Sequence, residues 1–223
     1  TTKVVVVADK DTCSFQFNPT GTSKFTSSCD IAKAQLARSS VNYSVENAPK
    51  GSVTKIRIGD KEVASYEAAN LKGDEVKTVP ATFTKAVNDA LGATGYPVAG
   101  VANPDIVKMS GFFDIFRGQT FTLVLILTYL VVLVTMVYGP IAAALVELFP
   151  TRIRYTGMSL PYHIGNGWFG GLMPATAFAM IAQTGDTYFG LWYPITIAVG
   201  TFIIGMIFVP ENKDKDIFAE DSK

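Results

Sequence analysis

The chain has 223 residues, a formal net charge of zero at pH 7 and one histidine. This charge balance argues against a nucleic-acid partner, because proteins of that class carry excess Lys and Arg to neutralise phosphates. The averages hide a change in composition near residue 120. The stretch Phe121 to Val209 contains four formal charges, at Glu147, Arg152, Arg154 and Asp186. Lipid excludes unpaired charge at a cost of at least ~2.5 kcal/mol each, so the sequence predicts a polar N-terminal domain joined to a membrane-embedded part.

Residues 1–110 are predicted to form a small α+β domain outside the cytoplasm. Short β-branched runs predict strands over Lys3–Ala8, Ser52–Ile58 and Glu62–Ser65, with Gly59-Asp60 at the tip of a hairpin. Helices are predicted over Cys29–Arg38 and over Thr82–Leu91, where Gly92 ends the second helix. The domain shows no catalytic constellation, no metal-ligand cluster and no cofactor motif, so the sequence does not predict an enzyme.

Cys13 and Cys29 are the two cysteines of the chain, and both lie in this domain. They could form a disulfide if the domain lies in an oxidising compartment, and two unpaired thiols are the alternative. The chain begins Thr1-Thr2-Lys3 without an initiator Met, which favours a fragment or a processed product.

The apolar region predicts three transmembrane helices, because about 20 apolar residues cross the hydrocarbon core. Their predicted bounds are about 121–149, 158–182 and 190–209. Residues 111–120 are aromatic and weakly charged, which suits an interfacial helix before the first span. Gly139 and Pro140 mark the expected bend of that span. Residues 210–223 form a mixed-charge tail.

Positive charge predicts the orientation of these helices. The connection 150–157 holds Arg152 and Arg154 without an acid, whereas 183–189 holds neither Lys nor Arg. Short Arg-rich loops stay in the cytoplasm, so the N-terminal domain and 183–189 are predicted outside and the C-terminus inside. Tyr188, Trp192 and Tyr193 fit an aromatic belt at the outer interface.

The second predicted span is rich in glycine. Gly167 and Gly171 form a Gly-x-x-x-Gly pair that permits close approach of another helix. The remaining glycines and prolines make the helix easy to bend, as in transporter helices. The alternative is a tightly packed structural helix of any multispan protein. The predicted packing and hinge positions are Gly139, Pro140, Gly165, Gly167, Gly170 and Gly171.

Two neighbouring stretches resemble one transporter family. Residues 139–157 have the sequence GPIAAALVELFPTRIRYTG, and residues 159–171 have the sequence SLPYHIGNGWFGG. They are similar to the tenth span, the following cytoplasmic loop and the eleventh span of the metabolite:proton symporter family in the major facilitator superfamily. The resemblance covers about Val134 to Pro210. It implies a twelve-span bundle of which this chain holds spans ten to twelve, with a large external insert before them.

Glu147, Arg152 and Arg154 are candidates for a salt-bridge gate. In the superfamily that the chain resembles, acid–arginine clusters latch the cytoplasmic ends of the two halves. The alternative is that the arginines snorkel to the interface and mark topology.

His163 lies within the second predicted span, where an ionisable group is a functional candidate. It could bind a carboxylate or take part in proton transfer, or it could simply form a hydrogen bond to another helix. Asn166 is expected to share its helix face. The substrate-cavity candidates are His163, Asn166, Tyr138, Tyr162 and Trp168, although aromatics in a bundle are more often packing.

The sequence thus predicts the C-terminal part of a secondary active transporter in a bacterial inner membrane. Its cargo would be a small polar metabolite, an organic acid or an amino-acid derivative, moved together with protons. The expected partners are lipid, the remaining transporter helices, the small-molecule substrate and protons. The alternative is a membrane-anchored external binding or assembly module without transport activity.

Overall fold

The computed structural model describes residues 2–97 and 111–209. The predicted end of the N-terminal domain (98–110) and the predicted tail (210–223) lie outside the described residues. The chain divides into two compact units. One unit comprises the N-terminal domain and Gly171–Ile203. The other unit comprises the part of the chain between the N-terminal domain and Gly170, together with the part from Ile204 onward. The division at residue 170 falls within the second predicted span.

The N-terminal domain contains a four-stranded sheet in the order β2-β1-β3-β4. β1 pairs in parallel with β2 and antiparallel with β3, and β3 pairs antiparallel with β4. The β3–β4 hairpin turns at Gly59-Asp60, where Gly59 has a φ of +58° that favours glycine. The predicted hairpin is therefore confirmed. The strands span β1 Val4–Ala8, β2 Ser44–Asn47, β3 Lys55–Ile58 and β4 Lys61–Ala64.

Two helices accompany this sheet, α1 over Ser28–Arg38 and α2 over Glu75–Ala93. The N-cap of α1 is Ser27, whose hydroxyl accepts the backbone N–H of Asp30 at 3.1 Å. Since α2 begins before Pro80 and runs through Gly92, the predicted start at Thr82 is wrong. The core of the domain is formed by Val4, Val6, Ala8, Cys29, Ala32, Leu36, Val41, Tyr43, Ile56, Ile58, Phe83, Val87, Ala90 and Leu91.

A disulfide and a terminal hydrogen bond fasten the chain within this domain. Cys13 and Cys29 are bonded to each other, with Cα atoms 5.2 Å apart. The Asp30 carboxylate accepts Ser14 N–H at 2.8 Å and the Ser14 hydroxyl at 2.6 Å, which ties the segment after Cys13 to the start of α1. Tyr96 donates its hydroxyl to the Thr2 carbonyl at 2.7 Å, so the chain after α2 returns to the residue that precedes β1.

Two helices are long and apolar enough to cross a membrane, namely α3 over Gly118–Glu147 and the segment Phe189–Phe208 that contains α6, Trp192–Phe208. Thr120 is the one buried residue of α3, and α6 has none. A helix that is apolar all round needs an apolar environment, which lipid or further helices supply. Where the interfacial helix is predicted, a short 3₁₀ helix spans Phe112–Phe116 before α3.

The second predicted span is not one continuous helix. Its residues form α4 over Arg154–Ile164, a π-helical segment over Gly165–Gly170, and α5 over Met173–Thr184. Glycine weakens a helix by about 1 kcal/mol relative to alanine, and π-helical turns occur most often at functional sites. The described residues therefore contain two candidate spans where the sequence predicts three.

Candidate functional site

A cavity of about 390 Å³ lies between α3 and α4. Its volume falls in the range of about 300–1,000 Å³ that is usual for small-molecule sites. Each helix lines it with residues spaced by three and four positions, which is one helical face. α3 contributes Tyr138, Ile141, Ala142 and Leu145, and α4 contributes Tyr155, Met158, Ser159, Tyr162 and His163.

A close contact at the turn between the helices holds α4 near the end of α3. Gly157 lies against the ring of Phe149, and an ideal Cβ at Gly157 would stand 2.6 Å from the Phe149 Cδ1 atom. Any larger residue would force the ring or the helix to move. The turn itself is closed by hydrogen bonds from Ile153 N–H to the Pro150 carbonyl at 3.2 Å and from Gly157 N–H to the Ile153 carbonyl at 2.8 Å.

His163 is oriented by its own helix. Its Nδ1 atom lies 2.7 Å from the Ser159 carbonyl oxygen and 3.3 Å from the Ser159 hydroxyl. A carbonyl oxygen only accepts, so Nδ1 carries the hydrogen, and Nε2 of the neutral ring is then an acceptor. The sequence left open a hydrogen bond from His163 to another helix. Among the described residues, the hydrogen-bond partner of His163 is instead Ser159 of the same helix, α4.

The polar groups of the cavity suit a small carboxylic acid. Protonated His163 would donate from Nε2 to a carboxylate, and neutral His163 would accept the proton of a carboxylic acid. Tyr138 of α3 and Tyr155 and Tyr162 of α4 also line the cavity, and a tyrosine hydroxyl can donate to carboxylate oxygens. The aliphatic wall, which includes Ile141 and Leu145, would cover an apolar part of a ligand.

The structure brings together three of the five predicted cavity residues, namely Tyr138, Tyr162 and His163. Asn166 and Trp168 do not line this cavity. Both lie in the π-helical segment that follows α4, and the shared face of His163 and Asn166 stays a prediction. Sequence reasoning missed Tyr155 and Ser159, although their positions eight and four residues before His163 would have identified that helix face.

The predicted gate residues lie around the turn between α3 and α4: Glu147 is the last residue of α3, Arg152 lies in the turn, and Arg154 is the first residue of α4. No ion pair joins Glu147 to Arg152 or Arg154 among the residues that the structure describes. Arg154 donates Nε–H to the Phe149 carbonyl at 3.3 Å, while its buried Nη2 atom has no partner in the described chain. A buried guanidinium nitrogen retains unused donor capacity, which an acidic group on another helix would satisfy.

The glycines of the π-helical segment and Gly139 of α3 are not packed against another element. Apart from the neighbouring backbone of their own helices, no described atom lies within 4 Å of an ideal Cβ at Gly139, Gly165, Gly167 or Gly170. The close helix contact that these glycines predict is therefore not made within the described chain, and it stays a prediction about other helices.

The part of the chain that the structure describes holds no group of three or more His, Cys, Asp or Glu side chains placed to bind a metal ion. Its described ion pairs are surface contacts of the N-terminal domain, such as Arg57 with Glu46 at 3.3 Å. Exposed pairs of this kind contribute little to stability.

Comparison with known proteins gives partial matches to transporters. A metabolite transport protein of Haemophilus influenzae is 40% identical over 86 residues, which are 37% of this chain and 18% of that protein. The citrate-proton symporter of Salmonella typhi is 36% identical over 72 residues, or 32% of this chain and 17% of the symporter. A second metabolite transport protein of Haemophilus influenzae is 32% identical over 83 residues, or 37% of this chain and 18% of that protein. No protein-family model and no solved structure matches the chain.

The chain thus spans less than a fifth of the length of these curated relatives. Their names describe transporters rather than enzymes, and membrane transport needs helices such as α3 and α6. Together these findings support a membrane location and a role in transport in general. The residues matched amount to about a third of this chain.

Proposed function

We propose that this chain is the C-terminal part of a secondary active transporter of the major facilitator superfamily, with the topology of spans ten to twelve. The cavity between α3 and α4 carries the proposal, because His163 and three tyrosines from these two helices line it. The partial sequence identity to metabolite and citrate-proton transporters also supports a transport function. The cargo is a small organic acid, moved with a proton.

The orientation follows from charge and from one contact. The Arg-containing turn 150–157 lies in the cytoplasm by the positive-inside rule. The N-terminal domain is bound to the turn after α5 by the Tyr43 hydroxyl, which donates to the Ala182 carbonyl at 2.6 Å. The domain and residues 183–189 therefore share one side of the membrane, which we place outside the cytoplasm of a bacterial inner membrane.

The glycine-rich segment and the arginine turn supply the moving parts. The π-helical turn at Gly165–Gly170 is the hinge of the broken eleventh span. Arg154 Nη2, which has no partner in the described chain, forms an ion pair with an acidic residue from the other half of the transporter. Alternating access in such proteins proceeds by rocking of helix bundles around a central site, during which pairs of this kind form and break.

The test is uptake of labelled citrate and other small carboxylates by membrane vesicles that contain the complete transporter. We expect uptake that falls when a protonophore collapses the proton gradient, and a loss of about tenfold or more in His163→Gln. The control is Thr122→Val on α3, because Thr122 bonds only to its own helix at the Gly118 carbonyl and lies away from the cavity.

Wild-type uptake by His163→Gln at equal membrane abundance would refute the role of the cavity. If no carboxylate is taken up and the N-terminal domain binds a ligand instead, the chain is the anchored external module.

A further inference from the structure

The N-terminal domain makes a specific contact with the turn that follows α5. The domain contributes Asn42 and Tyr43, which precede β2, and the turn contributes Ala182, Gly185 and Thr187. We call these five residues the docking surface. All of them belong to the same compact unit.

Tyr43 binds the end of α5 through both its side chain and its main chain. Its hydroxyl donates to the Ala182 carbonyl at 2.6 Å, and its N–H donates to the Gly185 carbonyl at 2.9 Å. The last four carbonyls of a helix lack helical partners, so Tyr43 caps one of them. Burial raises the pKa of the Tyr43 hydroxyl, which keeps its hydrogen for this bond.

The backbone of the turn lies in close contact with Tyr43. Gly185 has a φ of +77°, and a Cβ there would overlap the Tyr43 carbonyl oxygen. Asn42 Oδ1 accepts the N–H of Thr187 at 2.9 Å and also accepts the Thr187 hydroxyl. Among the described residues, the contact thus has four hydrogen bonds, of which one joins main chain to main chain and three use the side chain of Tyr43 or Asn42.

Helix packing extends the contact beyond these bonds. α1 lies against α5, and Ala179 and Ala182 of α5 are completely buried although the other residues of that helix are not. Gly190, which follows the turn, is buried and packs on Ile181 of α5. Buried small residues permit the close approach of the two helices.

We propose that the N-terminal domain is a permanent external clamp on the turn between α5 and α6, and that it moves with this turn through the transport cycle. This inference rests on the proposed function. In a rocking mechanism the outer ends of the spans shift, and a domain held by four hydrogen bonds and by the packing of α1 on α5 must shift with them. The docking surface therefore sets the position of α5 and of the turn that leads into α6, and its loss slows transport.

Two sets of variants of the complete transporter test the clamp. Asn42→Cys with Thr187→Cys places two thiols across the docking surface, while Cys13 and Cys29 are already bonded to each other. We expect rapid crosslinking by a short bifunctional thiol reagent in intact membranes, with uptake kept within about twofold of the uncrosslinked protein. Lys61→Cys with Thr187→Cys is the control and should not crosslink, because β4 and β2 form opposite edges of the sheet.

The second set weakens the docking surface. Gly185→Ala should reduce uptake about tenfold at equal membrane abundance, because it introduces both backbone strain and a clash. Gly200→Ala on α6 is the matched control, since its Cβ would meet nothing within 4 Å. Tyr43→Phe removes one hydrogen bond without changing shape and should give a smaller loss, which keeps the test valid if Gly185→Ala does not fold.

The outcomes separate the two proposals. Uptake abolished by the crosslink would overturn the permanent clamp, because the interface would then have to open in each cycle. Full uptake by Gly185→Ala and Tyr43→Phe would overturn it as well. An unmodified protein without uptake of any carboxylate would refute the proposed function and this role of the clamp together.

Discussion

The contact between Gly157 and Phe149 offers a sharp test of the cavity, because it fixes the distance between α3 and α4. In Gly157→Ala the new Cβ would lie 2.6, 2.9 and 3.1 Å from the Cδ1, Cε1 and Cγ atoms of Phe149. Carbon atoms normally approach to about 3.5–4.0 Å, so the ring must move by several tenths of an ångström or more. Overpacking of this kind costs about 1–3 kcal/mol.

A second glycine serves as the control for helix propensity. Alanine stabilises a helix by about 1 kcal/mol relative to glycine, and this gain applies to both variants. Gly205→Ala on α6 introduces a Cβ with nothing within 4 Å, so it should keep or raise the melting temperature. The difference between the two variants then measures the contact with Phe149, and it should amount to about 1–3 kcal/mol.

The assay is thermal unfolding of the detergent-solubilised protein, together with uptake. We expect Gly157→Ala to melt several degrees below Gly205→Ala and to transport less, because α4 is displaced from α3. The added substitution Phe149→Ala should remove most of this difference. Equal melting temperatures of the two glycine variants would refute the reasoning.

Three further predictions concern separate parts of the chain. Glu147→Gln in the complete transporter should impair uptake without preventing membrane insertion, and wild-type uptake at equal abundance would contradict the gate. Cys13→Ser should lower the unfolding free energy by about 3 kcal/mol, given the separation of 16 residues from Cys29; denaturant titration measures this, and an unchanged midpoint would exclude a stabilising disulfide. The N–H groups of Gly51 and Asp11 lower the pKa of Asp9. This contribution to stability is present above pH ~4 and is lost as the pH falls further, so Asp9→Asn should flatten the acid limb of the unfolding curve.

The local elements of the N-terminal domain could be predicted where the sequence pattern was strong. The β3–β4 hairpin follows from alternating β-branched residues around Gly59-Asp60, and the predicted helix Cys29–Arg38 agrees with α1 to within one residue. β2 was missed because Ser44–Asn47 is short and polar, and only its parallel pairing with β1 makes it a strand. The start of α2 was misplaced because a proline usually ends a helix, whereas Pro80 lies inside this one.

The apolar helices could be predicted from length and hydropathy alone, and α3 and α6 follow that expectation. The break of the second predicted span could not, because glycines in an apolar run are compatible both with a continuous helix and with a π-helical turn. Three of the nine residues that line the cavity were predicted: Tyr138, Tyr162 and His163 were identified by chemical type, whereas Tyr155 and Ser159 depend on how α3 and α4 face each other.

The bond between Tyr96 and Thr2 has a practical consequence for protein engineering. Because Thr2 and Tyr96 meet, residues 2–96 could be exchanged for another folded domain whose two ends also lie side by side. The same pair of attachment points could accept a fluorescent reporter of similar span. Such chimaeras would show how much of the chain's behaviour belongs to the graft and how much to the membrane helices themselves.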